Sequence, residues 1–378
     1  MTEKKTILNG TLVLDLSRLA PGPYGSMLLA DMGADVVVIG GGRSGLPIES
    51  YRRGKHFIYL DMKSEAGLAA FLQLVDKADV LIEGFRPDVK KRLGIDYETL
   101  SARNPGLIYC SLTGYGQEGP LAQEAGHDIN YVGMSGALGA MGPADGVPAI
   151  PLNIIADFAA GGLYAAYAIL GALLERQRSG LGQSLDVAMV DGCLSLMAMH
   201  YSDWGQPVLP SRGKGLMAGE APFYRCYACK DGQYVAVGAL ETAFFKNLWK
   251  GLSLEQPPDH MDKRTWPAMT DQFEALFASR TRDEWVAHFK GLDACVTPVL
   301  SPDEVFEHPH IKSRFPQGGA ACVPAIPLYS RTPVGGQGAQ AAQESAELFR
   351  RLGLSDDVIK HSLVNHTEVT GLVWPPIL

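Results

Sequence analysis

Residues 11–40 read TLVLDLSRLAPGPYGSMLLADMGADVVVIG, and this stretch decides the fold. TLVLDLS is a β-rich run, APGPYG breaks it, SMLLADMG suits a short helix, and ADVVVIG is a second β-rich run. Two such runs joined through a helix make the unit of a parallel sheet, because parallel neighbours need a crossover connection. The order then repeats in FIYLDM (57–62), EAGLAAFLQLVDKA (65–78) and DVLIEGF (79–85). DVKKRLGIDYETLSARN (88–104) leads into LIYCSLTGYG (107–116), and GQSLDVAM (182–189) adds a further strand. The pattern predicts the α/β class: a large Rossmann-like domain with a mainly parallel sheet, helices on its faces and ligand-accessible loops at strand ends. Neither PGPYGS nor GGGRSG (40–45) has the G-x-G-x-x-G spacing that opens a dinucleotide-binding helix.

A chain of 378 residues exceeds the size at which one hydrophobic core keeps growing. Periodicity is lost in GQPVLPSRGKGLMAGE (205–220), which reads as a linker. Beyond it, two β-rich runs flank Asp231-Gly232, a strong hairpin signal, and helical ETAFFKNLWKGL, FEALFASR and RDEWVAHFKGL follow. The expected layout is a first part of the large domain over 1–204, a linker over 205–220, a smaller α+β domain over 221–320, and a C-terminal return to the large domain over 321–378. In that tail PVGGQGAQAAQ reads as loop, with helices around ESAELFRRLGL and DDVIKHSLV.

With 41 acidic against 33 basic residues the net charge is −8, which argues against a nucleic-acid partner. Six scattered cysteines and a start without a signal-peptide pattern suit free thiols in a reducing cytoplasm. Cys226 and Cys229 have metal-like spacing, but residues three apart on a strand face opposite sides, so no metal is expected. FAAGGLYAAYAILGALL (158–174) is short for a bilayer, Ala/Gly-rich and preceded by Asp157, so a buried helix is expected and no membrane partner.

Three single residues could carry chemistry. His127, between a strand end and the Gly/Ala-rich run VGMSGALGAMG, is either a structurally bonded or exposed histidine or a general base. Asp157, at the start of the Ala/Gly helix, suits a helix N-cap and equally a reactive carboxylate, with Gly161 and Gly162 leaving room for a substrate. Glu241, at the entry to a helix of the smaller domain, is a first-turn acid whose interest depends on its distance from His127. YRRGK (51–55) and RPDVKKRLG (86–94) gather cations near strand ends, as a solvated face or as a site for phosphates.

The chain resembles the family III coenzyme A transferases over nearly its whole length and, within them, the α-methylacyl-CoA racemases. The stretches that carry this are LDLSRLAPGPYGSMLLADMGADVV, DMKSEAGLAAFLQLVDKADVLIEGFRPDVKKRLGIDYETL, LIYCSLTGYGQEGP, AGHDINYVGMSGAL, PLNIIADFAAGG, ERQRSGLGQSLDVAMVDG and DGQYVAVGALETAFF. In the transferases the resemblance puts a nucleophile at Asp157. In the racemases it implies an acid/base Asp157 together with His127 and Glu241. Val38 stands where the family often carries a charged residue, so the nucleotide end of CoA falls to Arg52, Arg53, Arg86, Lys91 and Arg92.

What the resemblance implies is inversion of the α-carbon of a 2-methylacyl-CoA thioester through an enolate. His127 and Asp157 form the two walls, Glu241 fixes the His127 tautomer, and the backbone N–H of Asp128 meets the enolate oxygen. CoA is part of the substrate and no separate cofactor is expected. GAMGPADG (139–146) and 205–220 line the acyl end. The resemblance further implies an interlocked homodimer in which Glu241 reaches its partner's His127. The alternatives are a CoA transferase with Asp157 as nucleophile, and an acyl-CoA-binding protein without catalysis.

Overall fold

The structure is a computed structural model that describes residues 6–18, 20–40, 49–316, 318–319, 323–335 and 342–362. GGGRSG beyond its first glycine, most of the PVGGQGAQAAQ loop, Cys322 and the last residues of the DDVIKHSLV helix lie outside the described residues. The chain forms two units. The first takes the described residues within Met1–Ser135, Pro151–Leu196 and Gln317–Leu378, the second Gly136–Ile150 and Met197–Pro316. Residues 205–220 therefore belong inside the second unit.

In the first unit, β1 (Leu12–Asp15), β2 (Asp35–Gly40), β3 (Lys55–Tyr59), β4 (Val80–Glu83), β5 (Ile108–Thr113) and β6 (Ser184–Ala188) form one parallel sheet. The strand order is β3-β2-β1-β4-β5-β6, so the direction of winding reverses between β1 and β4. In open α/β sheets ligands bind outside the carboxyl ends of strands at such a reversal. Strands of this kind are covered on both faces, which is why Val13, Leu14, Val36, Val37, Leu81 and Ile82 are fully buried.

Helix α1 (Pro21–Asp31) starts on Pro21 and Pro23, whose missing N–H groups cost nothing in a first turn. Ser64 caps α2 (Glu65–Val75) by accepting from Gly67 N–H at 3.1 Å. Gly94, at φ +66°, ends α3 (Pro87–Leu93), and Asp96 caps α4 (Tyr97–Arg103). The predicted strand FIYLDM starts two residues earlier, at Lys55, because the Lys55 side chain is itself buried.

Helix α5 (Asp128–Met134) follows β5 in the first unit; α6 (Ala137–Ala140) belongs to the second. The Ala/Gly helix runs from Ile154 to Ser179, π-helical over Ile154–Leu163 and then α7 (Tyr164–Ser179), ending on Gly180 at φ +75°. By length and composition it is apolar enough to cross a membrane, and one side packs against α1 and α8 (Met189–Leu196). A further short helix, α9 (Ala198–Asp203), follows α8 in the chain.

In the second unit, β7 (Tyr224–Ala228) and β8 (Tyr234–Gly238) form the expected hairpin, with Gly232 at φ +76°, and β9 (Val296–Pro298) joins β8 antiparallel. Helices α10 (Thr242–Gly251), α11 (Trp266–Phe277) and α12 (Arg282–Phe289) pack on this sheet through an aromatic core that includes Phe223, Phe245, Phe273, Phe277 and Trp285. After α13 (Pro309–Arg314), helices α14 (Ala342–Arg351) and α15 (Asp356–Ser362) return to the first unit, where Leu348, Phe349 and Ile359 join the core of Leu14, Val37 and Leu81.

Candidate active site

His127 stands between β5 and α5, at the N-cap position of α5, with its imidazole exposed. Its backbone is pinned on both sides. The N–H donates to Asn130 Oδ1 at 3.0 Å, and the carbonyl accepts from Asn130 N–H at 2.8 Å. Tyr131 folds back over the same loop, its hydroxyl donating to the Gly126 carbonyl at 2.5 Å and its ring edge-on to Tyr115. Burial pushes the Tyr131 phenol up to about 12. Gly126 tolerates no side chain, because a Cβ there would lie 2.6 Å from the Tyr131 ring.

Asp157 sits in the π-helical first turns of the long helix, a rare geometry that recurs at functional sites. Its Oδ2 accepts from Asn153 Nδ2 at 3.0 Å. The carboxyl is raised above the ordinary carboxylate range. Burial is the main cause; the Asn153 hydrogen bond opposes it, the neighbouring Asp128 charge adds to it, and His127 lowers it. That dependence puts His127 within electrostatic reach. The Asp128 carboxylate joins the two segments, since its Oδ2 accepts from Ala156 N–H at 2.8 Å and Asp157 N–H at 2.9 Å. Phe158, Tyr24 and Tyr51 form a half-buried aromatic cluster beside Asp157, with ring centroids 5.2–6.0 Å apart.

Gly161 and Gly162 do not open space for a substrate. A Cβ on Gly162 would lie 2.4 Å from the Pro21 carbonyl oxygen, and one on Gly25 would lie 2.8 Å from that of Gly162. These glycines let α1 and the long helix approach backbone to backbone, which fixes the segment bearing Asp157.

Glu241 belongs to the second unit, exposed at the N-cap position of α10. The preceding carbonyl, of Leu240, is bonded to His260 Nε2 at 2.9 Å, and that imidazole stacks on Phe245. The two stretches expected at the acyl end lie together in this unit, because Arg212 donates to the carbonyls of Pro143 (3.1 Å) and Gly146 (2.8 Å).

The five cations divide by environment. Arg53 is buried in a bidentate pair with Asp31 (2.7 and 2.6 Å) and also donates to the Val323 carbonyl. Arg52 is buried with its guanidinium over the Phe57 ring. Arg86, Lys91 and Arg92 are exposed at the start and on the length of α3, directly after β4. Reading YRRGK as a solvated cation face misses this burial, which includes Lys55.

Two buried polar networks at the carboxyl ends of β1 and β4 also escape the sequence reading. The last residue of β1, Asp15, is bonded to Ser17 and Ser26, and Lys55 Nζ donates to Ser26 Oγ and the Pro23 carbonyl, each at 2.7 Å. Burial pushes the Lys55 ammonium down to about 8, against the opposing pull of Asp15 and Asp31. Glu83, the last residue of β4, accepts from Ser111 Oγ (2.5 Å), Lys90 Nζ (3.3 Å) and Phe85 N–H (2.6 Å). The available signal was an acidic residue ending an otherwise apolar strand.

Among the described residues no three His, Cys, Asp or Glu side chains are grouped to hold a metal ion, and Cys226 is exposed where Cys229 is buried. The chain is 40% identical to "Alpha-methylacyl-CoA racemase" of Mus musculus over 368 residues, covering 93% of this chain and 95% of that one. It is equally 40% identical to the Homo sapiens protein of the same name over 372 residues, with the same coverage. Its fold is similar to the crystal structure of a CaiB/BaiF family protein from Brucella suis, with a TM-score of 0.79, 29% identity, and coverage of 92% of this chain and 99% of that one. The family model "CoA-transferase family III" matches residues 8–315, which hold the six-stranded sheet, His127, Asp157 and Glu241; the chain belongs to this family.

Proposed function

We propose that this protein is a racemase of 2-methylacyl-CoA thioesters that exchanges the α-hydrogen by 1,1-proton transfer. The observation that carries it is the Asp128 carboxylate tying the His127 segment to the Asp157 helix start, with His127 within electrostatic reach of a carboxyl held above its ordinary range, in a chain 40% identical to two α-methylacyl-CoA racemases over 93% of its length. In one direction neutral His127 takes the α-proton, and the C–H electron pair moves onto the thioester carbonyl to form the enolate. Protonated Asp157 then returns a proton to the opposite face, leaving an imidazolium and a carboxylate. The reverse direction starts from those states. A raised carboxyl favours the acid form that Asp157 needs in the first direction.

The enolate oxygen is met by the N–H of Asp128, the first of α5, which makes no hydrogen bond among the described residues. Glu241 orients the imidazole. Arg86, Lys91 and Arg92 meet the CoA phosphates, while Arg52 and Arg53 lie beneath the surface and the Arg53 charge is largely cancelled by Asp31. CoA arrives as part of the substrate, and no other cofactor enters these steps. The working form is a homodimer in which Glu241 serves the partner's His127. The exposed side of the long helix, with Leu163, Tyr167 and Leu174, supports such a partner face.

The test is one pure enantiomer of a 2-methylacyl-CoA in deuterated buffer with no acceptor acid, followed by NMR. Deuterium gain at the α-carbon together with loss of optical purity is expected. CoA transfer to an added carboxylic acid, with no exchange, would make Asp157 a nucleophile and the protein a transferase.

A further inference from the structure

We infer that the Asp128 side chain is a positioning residue that sets the separation of His127 and Asp157, an inference that rests on the racemase reading for what that separation does. The residue is 5% exposed. Burying a carboxylate costs several kcal/mol unless strong donors replace water. Asp128 has two such donors, the N–H groups of Ala156 and Asp157, both on Oδ2, while its buried Oδ1 has no hydrogen-bond partner among the described residues. They are the third and fourth N–H groups of the long helix, two of the four that a helix start leaves without an intrahelical partner.

Capping is ordinarily the work of the residue just before the helix. That residue is Asn153, and its side chain makes no capping bond; it donates to Asp157 Oδ2 instead. A carboxylate 28 residues earlier in the chain thus caps the helix and leaves Asn153 to hold the reactive carboxyl. Asp128 is also bonded covalently to His127, whose backbone is pinned by Asn130. One side chain therefore spans the two walls of the proposed site. A displacement of about 1 Å between such groups lowers turnover by as much as about 100-fold.

The role separates from ordinary stabilisation by stereochemistry. Two walls held at the right distance deliver the new proton to the face opposite the one that lost it. Walls that drift apart leave the first base to return an exchanged deuteron to its own face, so exchange with retention gains on inversion. Loss of folded protein lowers both outcomes together and leaves their ratio unchanged.

The experiment uses full-length Asp128→Asn and Asp128→Ala beside wild type, with one enantiomer of a 2-methylacyl-CoA in deuterated buffer. The expected result is a kcat about 10- to 100-fold lower, a KM within about threefold, and a larger share of deuterated product with retained configuration. Hydrogen–deuterium exchange by mass spectrometry, read on peptides spanning 154–163, is expected to show faster exchange in both variants, since the acceptor of two amides is weakened or gone. A wild-type retention-to-inversion ratio, or unchanged amide protection, overturns the inference. Wild type that exchanges no α-hydrogen sinks the racemase reading instead, and amide protection then still decides whether Asp128 holds the helix start.

Discussion

His127, Asp157 and Asn153 make separable predictions. His127→Ala and Asp157→Ala are each expected to lower turnover by about 10²–10⁴-fold, with thermal melting within a few degrees of wild type. Full activity in either variant excludes the two-base scheme. Asn153→Ala removes the hydrogen bond that lowers the Asp157 carboxyl, so that carboxyl titrates higher. In the direction where Asp157 is the base, the acid limb of the kcat/KM profile should move to higher pH, as measured on each enantiomer separately. At this scale the sequence offered His127, Asp157 and Glu241 through resemblance to a family. The carboxylate of Asp128 and the amide of Asn153 were illegible, because their importance lies in partners 28 and 4 residues away rather than in any motif of their own.

The long helix and α1 owe their fit to glycines. Gly162→Ala would force a Cβ to 2.4 Å from the Pro21 carbonyl oxygen, so a loss of roughly 1–3 kcal/mol is expected, together with a displaced Asp157 and reduced turnover. Urea unfolding and kcat measured on the same preparation check both. Strand β3 carries a second prediction. The buried Lys55 ammonium has a folded value near 8 against an ordinary 10.5, so the unfolded chain binds this proton more tightly. Its penalty is complete below pH 8 and is relieved as pH rises from 8 to 10.5, so this group makes stability increase with pH in that window. Lys55→Met should flatten that part of the stability–pH curve, read by denaturant midpoints at fixed pH values. The apolar periodicity located β3 yet put its start two residues late, since a buried lysine looks polar in a sequence.

For the molecule as a whole, the proposed dimer ties assembly to activity. Tyr167→Asp, on the exposed side of the long helix, is expected to give a monomer by sedimentation velocity and to lose α-hydrogen exchange, because Glu241 then has no partner site to serve. A fully active monomer would contradict that arrangement. The sequence by itself determined the α/β alternation, the parallel sheet, the Asp231-Gly232 hairpin and the family, because these depend on local periodicity, turn chemistry and residues that recur in order. The tertiary structure alone decided that β9 joins the hairpin, that Arg52, Arg53 and Lys55 are buried, and that Gly161 and Gly162 serve helix packing. The physical reason is that burial and pairing belong to residues distant in the chain, and one sequence carries no record of which surfaces will meet.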